Sequence, residues 1–139
     1  MSLQMVLLPL FVQVALTLAL MILMATRRAQ AVRNKQVRGA DVALREPNWP
    51  PRALQAAYAY SNQFELPVLF YLLTILVIIT KQADLAFVLL AWVFVVLRIL
   101  QAWVYVTGNN IRYRALYFAA GAVVLTVMWV SFARHILLV

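Results

Sequence analysis

Four long apolar runs, separated by short polar segments, dominate the pattern of hydrophobic and polar positions in the chain. The runs cover residues 3–26, 53–80, 85–111 and 115–135. A helix needs roughly 20 such residues to cross a bilayer, so each run is long enough to form one transmembrane helix. No lysine or arginine precedes the first run, which is also longer than the apolar core of a signal peptide. We therefore predict that the first run is a transmembrane helix and not a cleaved leader.

Composition places these helices in one membrane domain. The chain is 66% hydrophobic and 12% charged, whereas a soluble domain is about 45–50% apolar and about 25% charged. We predict an all-α integral membrane protein in which residues 1–139 form a single four-helix bundle. The net charge of +8 lies mainly between the runs, where the preference for lysine and arginine in cytoplasmic loops explains it without nucleic-acid binding.

The residue inventory excludes several kinds of site. The chain has no cysteine, so it has no disulfide, no thiolate metal site and no cysteine nucleophile. Any thiol chemistry must therefore use a thiol that a ligand brings. His135 is the single histidine and cannot hold a metal alone, so no metal site is predicted.

The charged segments predict the orientation in the membrane. Segment 27–52 carries seven Lys/Arg and two Asp/Glu, and Arg112 and Arg114 follow the third run. The opposite ends of the helices carry Lys81 and Arg134. Because lysine and arginine concentrate in cytoplasmic loops, we predict that both basic loops lie in the cytoplasm and both termini outside.

One carboxylate lies inside the second run and one guanidinium inside the third. These residues are Glu65 and Arg98. At about 1.5 Å per residue, both lie at a similar depth on neighbouring antiparallel helices. A lone charge at that depth is costly, and opposite charges in contact offset most of the cost. We predict a buried ion pair between Glu65 and Arg98.

Further polar residues extend these two positions into one stripe on each helix. The stripes consist of Gln55, Tyr58, Asn62 and Glu65 on the second helix, and of Arg98, Gln101, Tyr105 and Arg112 on the third. Their spacing puts each stripe on a single helical face, and both stripes run toward the cytoplasmic end. The pattern predicts a polar, arginine-rich cleft for a small anionic ligand from the cytosol, with an apolar partner arriving from the lipid.

Two further features bear on this cleft. Pro67 predicts a kink beside it, because proline leaves the carbonyl of Gln63 without its helical donor. Polar groups in membrane helices also join helices to one another without any ligand. That alternative is the favoured interpretation of Gln13 and Thr17, which share one face of the first helix.

The ordered set of these features resembles the MAPEG family, the membrane-associated proteins of eicosanoid and glutathione metabolism, and most closely its bacterial members. The resemblance covers nearly the whole chain. It consists of four helices, a long basic first loop, Asn-x-x-Glu-x-Pro in the second helix, and an arginine seven residues before a tyrosine in the third helix, with a later arginine.

The resemblance implies a homotrimer in a bacterial inner membrane, with glutathione bound in a cytoplasm-facing cleft between subunits. The residues that it places around glutathione are Asn62, Glu65, Arg98 and Tyr105, with Arg27 or Arg28 from the neighbouring subunit. It implies that Glu65 holds the amino group of the peptide. It also implies that Arg112 is the catalytic residue, which stabilises the thiolate.

Two pocket positions differ from the eicosanoid synthases of the family. Tyr58 stands where they carry an arginine, and Gln101 where they carry a tyrosine or a histidine. We expect a glutathione-dependent transferase or peroxidase that acts on lipophilic substrates. One alternative is a non-catalytic protein of the same fold that binds lipid or another small amphiphile. A four-helix multidrug transporter ranks last, because the first helix carries no carboxylate.

Overall fold

Helices are the only regular secondary structure in residues 1–138, the part of the chain that this computed structural model describes. The helices are α1 (Leu3–Arg33), α2 (Gly39–Val42), α3 (Pro51–Asn62), α4 (Leu66–Ile79), α5 (Leu85–Val106) and α6 (Ile111–Leu137). Four helical spans are long and apolar enough to cross a membrane: α1, α3 with α4, α5, and α6. The predicted all-α fold with four membrane spans is confirmed.

Two helix boundaries differ from the predicted ones. α1 continues to Arg33, seven residues beyond the first apolar run, so the basic loop begins later than residue 27. α5 ends at Val106 and not at residue 111, because Asn110 starts the next helix by accepting the backbone N–H groups of Arg112 and Tyr113 on its Oδ1. Arg112 therefore belongs to α6 and does not extend the polar stripe of the third helix.

The second membrane span is interrupted where the sequence predicts a kink. α3 ends at Asn62 and α4 begins at Leu66, with Pro67 as the second residue of α4. Proline lacks the N–H that would continue the helical bonding across this point. Gln63, inside the interruption, is buried and donates its Nε2 to the carbonyl of Ala59 (2.9 Å).

A hydrogen bond ties α1 to this interruption. Gln13 Nε2 donates to Gln63 Oε1 over 2.8 Å, and both side chains are buried. The predicted helix-to-helix bond of Gln13 is thus confirmed. Thr17 instead donates to the carbonyl of Gln13 within α1 (3.1 Å).

The apolar core has one large and one small part. In the large part, the rings of Phe70 and Phe94 stack with centroids 5.0 Å apart, and buried residues of α4, α5 and α6 surround them. In the small part, Leu20, Ala59 and Ala102 join α1, α3 and α5. The buried residues of α3 are all alanines, and such small side chains let membrane helices approach closely.

Candidate functional site

The predicted ion pair between Glu65 and Arg98 is not formed. Arg98 is fully buried (0% exposed), and its Nη2 donates to the backbone carbonyl of Asn62 over 3.0 Å. Glu65 is exposed on the isolated subunit. Within residues 1–138, the only ion pair joins Arg38 to Asp41 in the loop (3.6 Å).

The helix interruption explains why this prediction was wrong. In a continuous helix, Glu65 would lie on the same face as Asn62. The chain leaves helical geometry at Glu65 (φ −99°, ψ −104°), so that face does not continue and the carboxylate turns outward. The same interruption leaves the carbonyl of Asn62 available to the guanidinium of Arg98.

Arg98 keeps donors without partners inside the bundle. Within the described residues, its Nε and Nη1 atoms are buried and make no hydrogen bond, and neither does Gln13 Oε1. The ring of Phe118 lies against the guanidinium, with its centroid 5.9 Å from Cζ. A buried charge with unsatisfied donors is costly, so this centre has unused capacity to bind an anionic or hydrogen-bond-accepting group.

Part of the predicted polar stripes meets in one cleft at the end of the bundle that carries the basic segments. Gln55 and Tyr58 of α3, Tyr105 of α5, and Asn109 and Arg114 line it, together with Pro51 and Leu54. We call it the Arg114 cleft. Its volume is about 340 Å³, near the lower end of the range of small-molecule sites, roughly 300–1,000 Å³.

Two contacts hold the side chain of Arg114 in place in this cleft. Its Cζ lies 4.3 Å from the centroid of the Tyr105 ring, and its Nη1 donates to Asn109 Oδ1 over 2.7 Å. Both contacts fix the guanidinium beside a phenol and leave its other nitrogens free of protein partners within residues 1–138. The result is a cation held in place at the wall of an open cleft.

The remaining predicted residues lie at different distances from the cleft. Glu65 is exposed and does not line the cleft. Asn62 is half-buried at the end of α3, and Gln101 is buried in α5 at 3% exposure. Arg112 is exposed and does not line the cleft.

Arg114 and Asn109 were not among the predicted site residues. The sequence feature that indicates them is the turn composition of Thr107 to Asn110. This turn ends α5, and a new helix begins before Arg112. Residues two apart on a helix do not face the same side. Arg112 and Arg114 therefore face different sides of α6, and in the single subunit Arg114 is the one that lines the cleft.

The adjacent residues Arg27 and Arg28 of α1 make contacts with different parts of the chain. Arg27 donates to the backbone carbonyls of Arg52 (2.9 Å) and Val106 (3.0 Å), and so joins α1 to the start of α3 and the end of α5. Arg28 lies over the Trp49 ring, with its Cζ 5.1 Å from the centroid, in a separate pocket. Tyr58 lines both this pocket and the Arg114 cleft.

Comparison with known proteins adds one match. The model of the MAPEG family matches residues 6–134, which is nearly the entire chain. No curated protein and no solved structure matches.

Proposed function

The chain belongs to the MAPEG family, and on that premise we propose that it is a membrane-embedded, glutathione-dependent transferase or peroxidase that acts on lipophilic substrates. The position of Arg114 is the main structural support for this function. This arginine is fixed against Tyr105 and Asn109 in a cleft beside the membrane spans.

The side chains around the cleft fit glutathione in charge and polarity. Glutathione has two carboxylates, one amino group and one thiol. Arg114 offers a cation, Tyr58 and Tyr105 offer hydroxyl donors, and Gln55 offers an amide. Glu65, exposed between α3 and α4, is the carboxylate that we assign to the amino group. The unpartnered donors of Arg98 lie deeper in the bundle.

We assign the thiolate-stabilising role to Arg114 in place of Arg112. When bound, glutathione supplies the sulfur nucleophile. The sulfur either displaces a leaving group such as chloride from an electrophilic carbon to form a thioether, or reduces a hydroperoxide to an alcohol and water while two glutathione molecules are oxidised to their disulfide. A cation beside a thiol favours its thiolate form, and donors fixed before the reaction stabilise charge most effectively. Arg114 is fixed in this way by two contacts, whereas the exposed Arg112 lies outside the cleft.

A homotrimer would complete the site. The Arg114 cleft is open on the isolated subunit, so a helix of a neighbouring subunit can cover it. We propose that α1 of a neighbouring subunit presents Arg28 to the cleft. Arg27 is less suited to this role, because two backbone carbonyls of its own chain already hold its guanidinium.

Calorimetry tests the binding step. The purified protein should bind glutathione at millimolar ligand or below, and S-methyl glutathione should bind as well, because most of the contacts lie outside the sulfur. Activity is then measured with 1-chloro-2,4-dinitrobenzene and with cumene hydroperoxide as lipophilic acceptors. Absence of glutathione binding would refute the proposal and would leave the non-catalytic amphiphile-binding alternative.

A further inference from the structure

A second arginine-lined pocket lies on the other side of the start of α3. Its polar lining residues are Arg27, Gln30, Asn34, Gln36 and Arg52. Pro50, Pro51, Ala31 and Ala53 complete it, and its volume is about 340 Å³. We call it the Arg52 pocket. Except for Pro51, it shares no residue with the Arg114 cleft among residues 1–138, so a ligand site here is independent of the glutathione proposal.

Two positively charged side chains, those of Arg27 and Arg52, line this pocket. The guanidinium of Arg27 is fixed on the backbone carbonyl of Arg52, and the two side-chain charges are close enough to repel each other. In the described part of the chain, no acidic residue lines the pocket. The two carboxylates of the basic segment are engaged elsewhere, Asp41 with Arg38 and Glu46 with the backbone N–H of Leu44.

The pocket also presents unused hydrogen-bond donors. Within residues 1–138, the side chains of Gln30, Asn34, Gln36 and Arg52 make no hydrogen bond to protein. The Nε of Arg27 is buried and has no partner there either. Guanidinium and amide N–H groups that line one pocket with net positive charge can bind phosphoryl oxygens.

The position of the pocket in the membrane indicates where such a group comes from. α1 has 31 residues and is about 46 Å long, which exceeds the hydrocarbon core of about 30 Å. Its uncharged part ends at Thr26, so Arg27 emerges at headgroup level. The contact of Arg27 with Val106, the last residue of α5, and the start of α3 at Pro51 place two further helix ends at the same level.

We propose that the Arg52 pocket binds a phosphoryl anion, the group that an anionic phospholipid headgroup presents at this depth and that soluble phosphates present in the adjacent water. Basic pockets between membrane helices recognise anionic headgroups in this way. The bound anion lies between the guanidinium groups of Arg27 and Arg52 and reduces their repulsion. It thereby fixes the ends of α1, α3 and α5 relative to one another.

The test uses the full-length protein in nanodiscs made from equal amounts of phosphatidylcholine and phosphatidylglycerol. Lipids that stay bound after detergent extraction are counted by native mass spectrometry. Arg52→Gln is the test variant, because within residues 1–138 its side chain makes no hydrogen bond, while its backbone carbonyl still accepts from Arg27. Arg33→Gln is the matched control, since it removes the same charge from the same basic segment outside the pocket.

We expect the unchanged protein to retain phosphatidylglycerol in preference to phosphatidylcholine. Arg52→Gln should reduce that preference at least about tenfold, the fold-change that corresponds to the lower end of the roughly 1.5–3 kcal/mol of a hydrogen bond to a charged group. Arg33→Gln should leave it unchanged. A second arm adds inorganic phosphate to lipid-free protein in detergent. If inorganic phosphate binds and its binding depends on Arg52, while no lipid preference is found, the result supports the phosphoryl site and identifies its ligand as a soluble phosphate.

Two results would overturn the proposal. One is the absence of both a phosphatidylglycerol preference and phosphate binding that depends on Arg52. The other is an equal loss in Arg33→Gln and Arg52→Gln, which would reduce the effect to net charge. Equal thermal unfolding midpoints of the two variants show that neither result comes from misfolding. Glutathione binding measured on the same samples separates a failure here from a failure of the proposed function.

Discussion

The guanidinium of Arg98 donates to the backbone carbonyl of Asn62, 3.0 Å away, and not to the carboxylate of Glu65. The interruption between α3 and α4 produces this arrangement, because it directs Glu65 outward and leaves a carbonyl facing α5. The fully buried guanidinium of Arg98 is thus held by the backbone, and the carboxylate of Glu65 is exposed.

Replacing Arg98 should separate the effect of its charge from the effect of its volume. Arg98→Met removes a buried charge and keeps most of the volume, so the free energy of unfolding should stay unchanged or rise, as when buried charges give way to apolar residues. Arg98→Ala should lower it by about 2–5 kcal/mol through the cavity that it creates. Unfolding by dodecyl sulfate in mixed micelles measures both. A loss in Arg98→Met as large as in Arg98→Ala would show that the charge itself holds the fold together.

Glu65→Gln should weaken ligand binding without affecting stability. A change at an exposed side chain alters the free energy of unfolding by about 0.5 kcal/mol at most, whereas removing one partner of a buried pair costs roughly 3–5 kcal/mol. Glutathione affinity should fall about 10- to 150-fold, since a charged hydrogen bond contributes about 1.5–3 kcal/mol. Glu46→Gln, in the loop, is the matched control. A loss of roughly 3–5 kcal/mol in the free energy of unfolding would indicate that Glu65 does form a buried pair with Arg98.

The bond between Gln13 and Gln63 should contribute a measurable coupling between α1 and the interruption. Hydrogen bonds between membrane helices average about 0.6 kcal/mol in double-mutant cycles, with a maximum of about 1.7 kcal/mol. Burial of both side chains and the 2.8 Å distance favour the upper part of that range. The cycle consists of Gln13→Leu, Gln63→Leu and the double variant. Additive effects of the two single changes would contradict the coupling.

Arg27→Gln should destabilise the bundle more than Arg33→Gln. Arg27 makes two charge-assisted hydrogen bonds to backbone carbonyls of other segments, and each contributes about 1.5–3 kcal/mol. Arg33 is exposed in the last turn of the same helix. Reversible unfolding of both variants provides the measurement. Equal stability of the two variants would contradict the role of Arg27 as a link between helix ends.

The apolar pattern was sufficient to predict the fold. Runs of about 20 apolar residues have few structural options in a bilayer, so the four spans and the kink at Pro67 were readable from the sequence. Helix ends were less predictable. α1 extends through polar residues to Arg33, and α5 stops at Val106 inside a run that still contains apolar residues.

The candidate site was predictable only in part, because it depends on helix register near interruptions. Tyr58, Gln55 and Tyr105 do meet in one cleft, since each is in a regular helical segment where spacing determines the face. Glu65 and Arg112 lie just beyond an interruption or a turn, where the count of residues per turn no longer applies. At both places a local capping or backbone geometry, invisible to periodicity, set the direction of the side chain.

The central claim, that Arg114 stabilises a glutathione thiolate, is tested most directly by the ultraviolet absorbance of the bound thiolate near neutral pH. The unchanged protein and Arg112→Ala should both show the thiolate band when saturated with glutathione. Arg114→Ala should lose the band and lower kcat by about 100- to 1,000-fold, the usual effect of removing one preorganised charge-stabilising donor. S-methyl glutathione should still bind to Arg114→Ala, which shows that the cleft persists. Loss of the band in Arg112→Ala with retention in Arg114→Ala would contradict the claim.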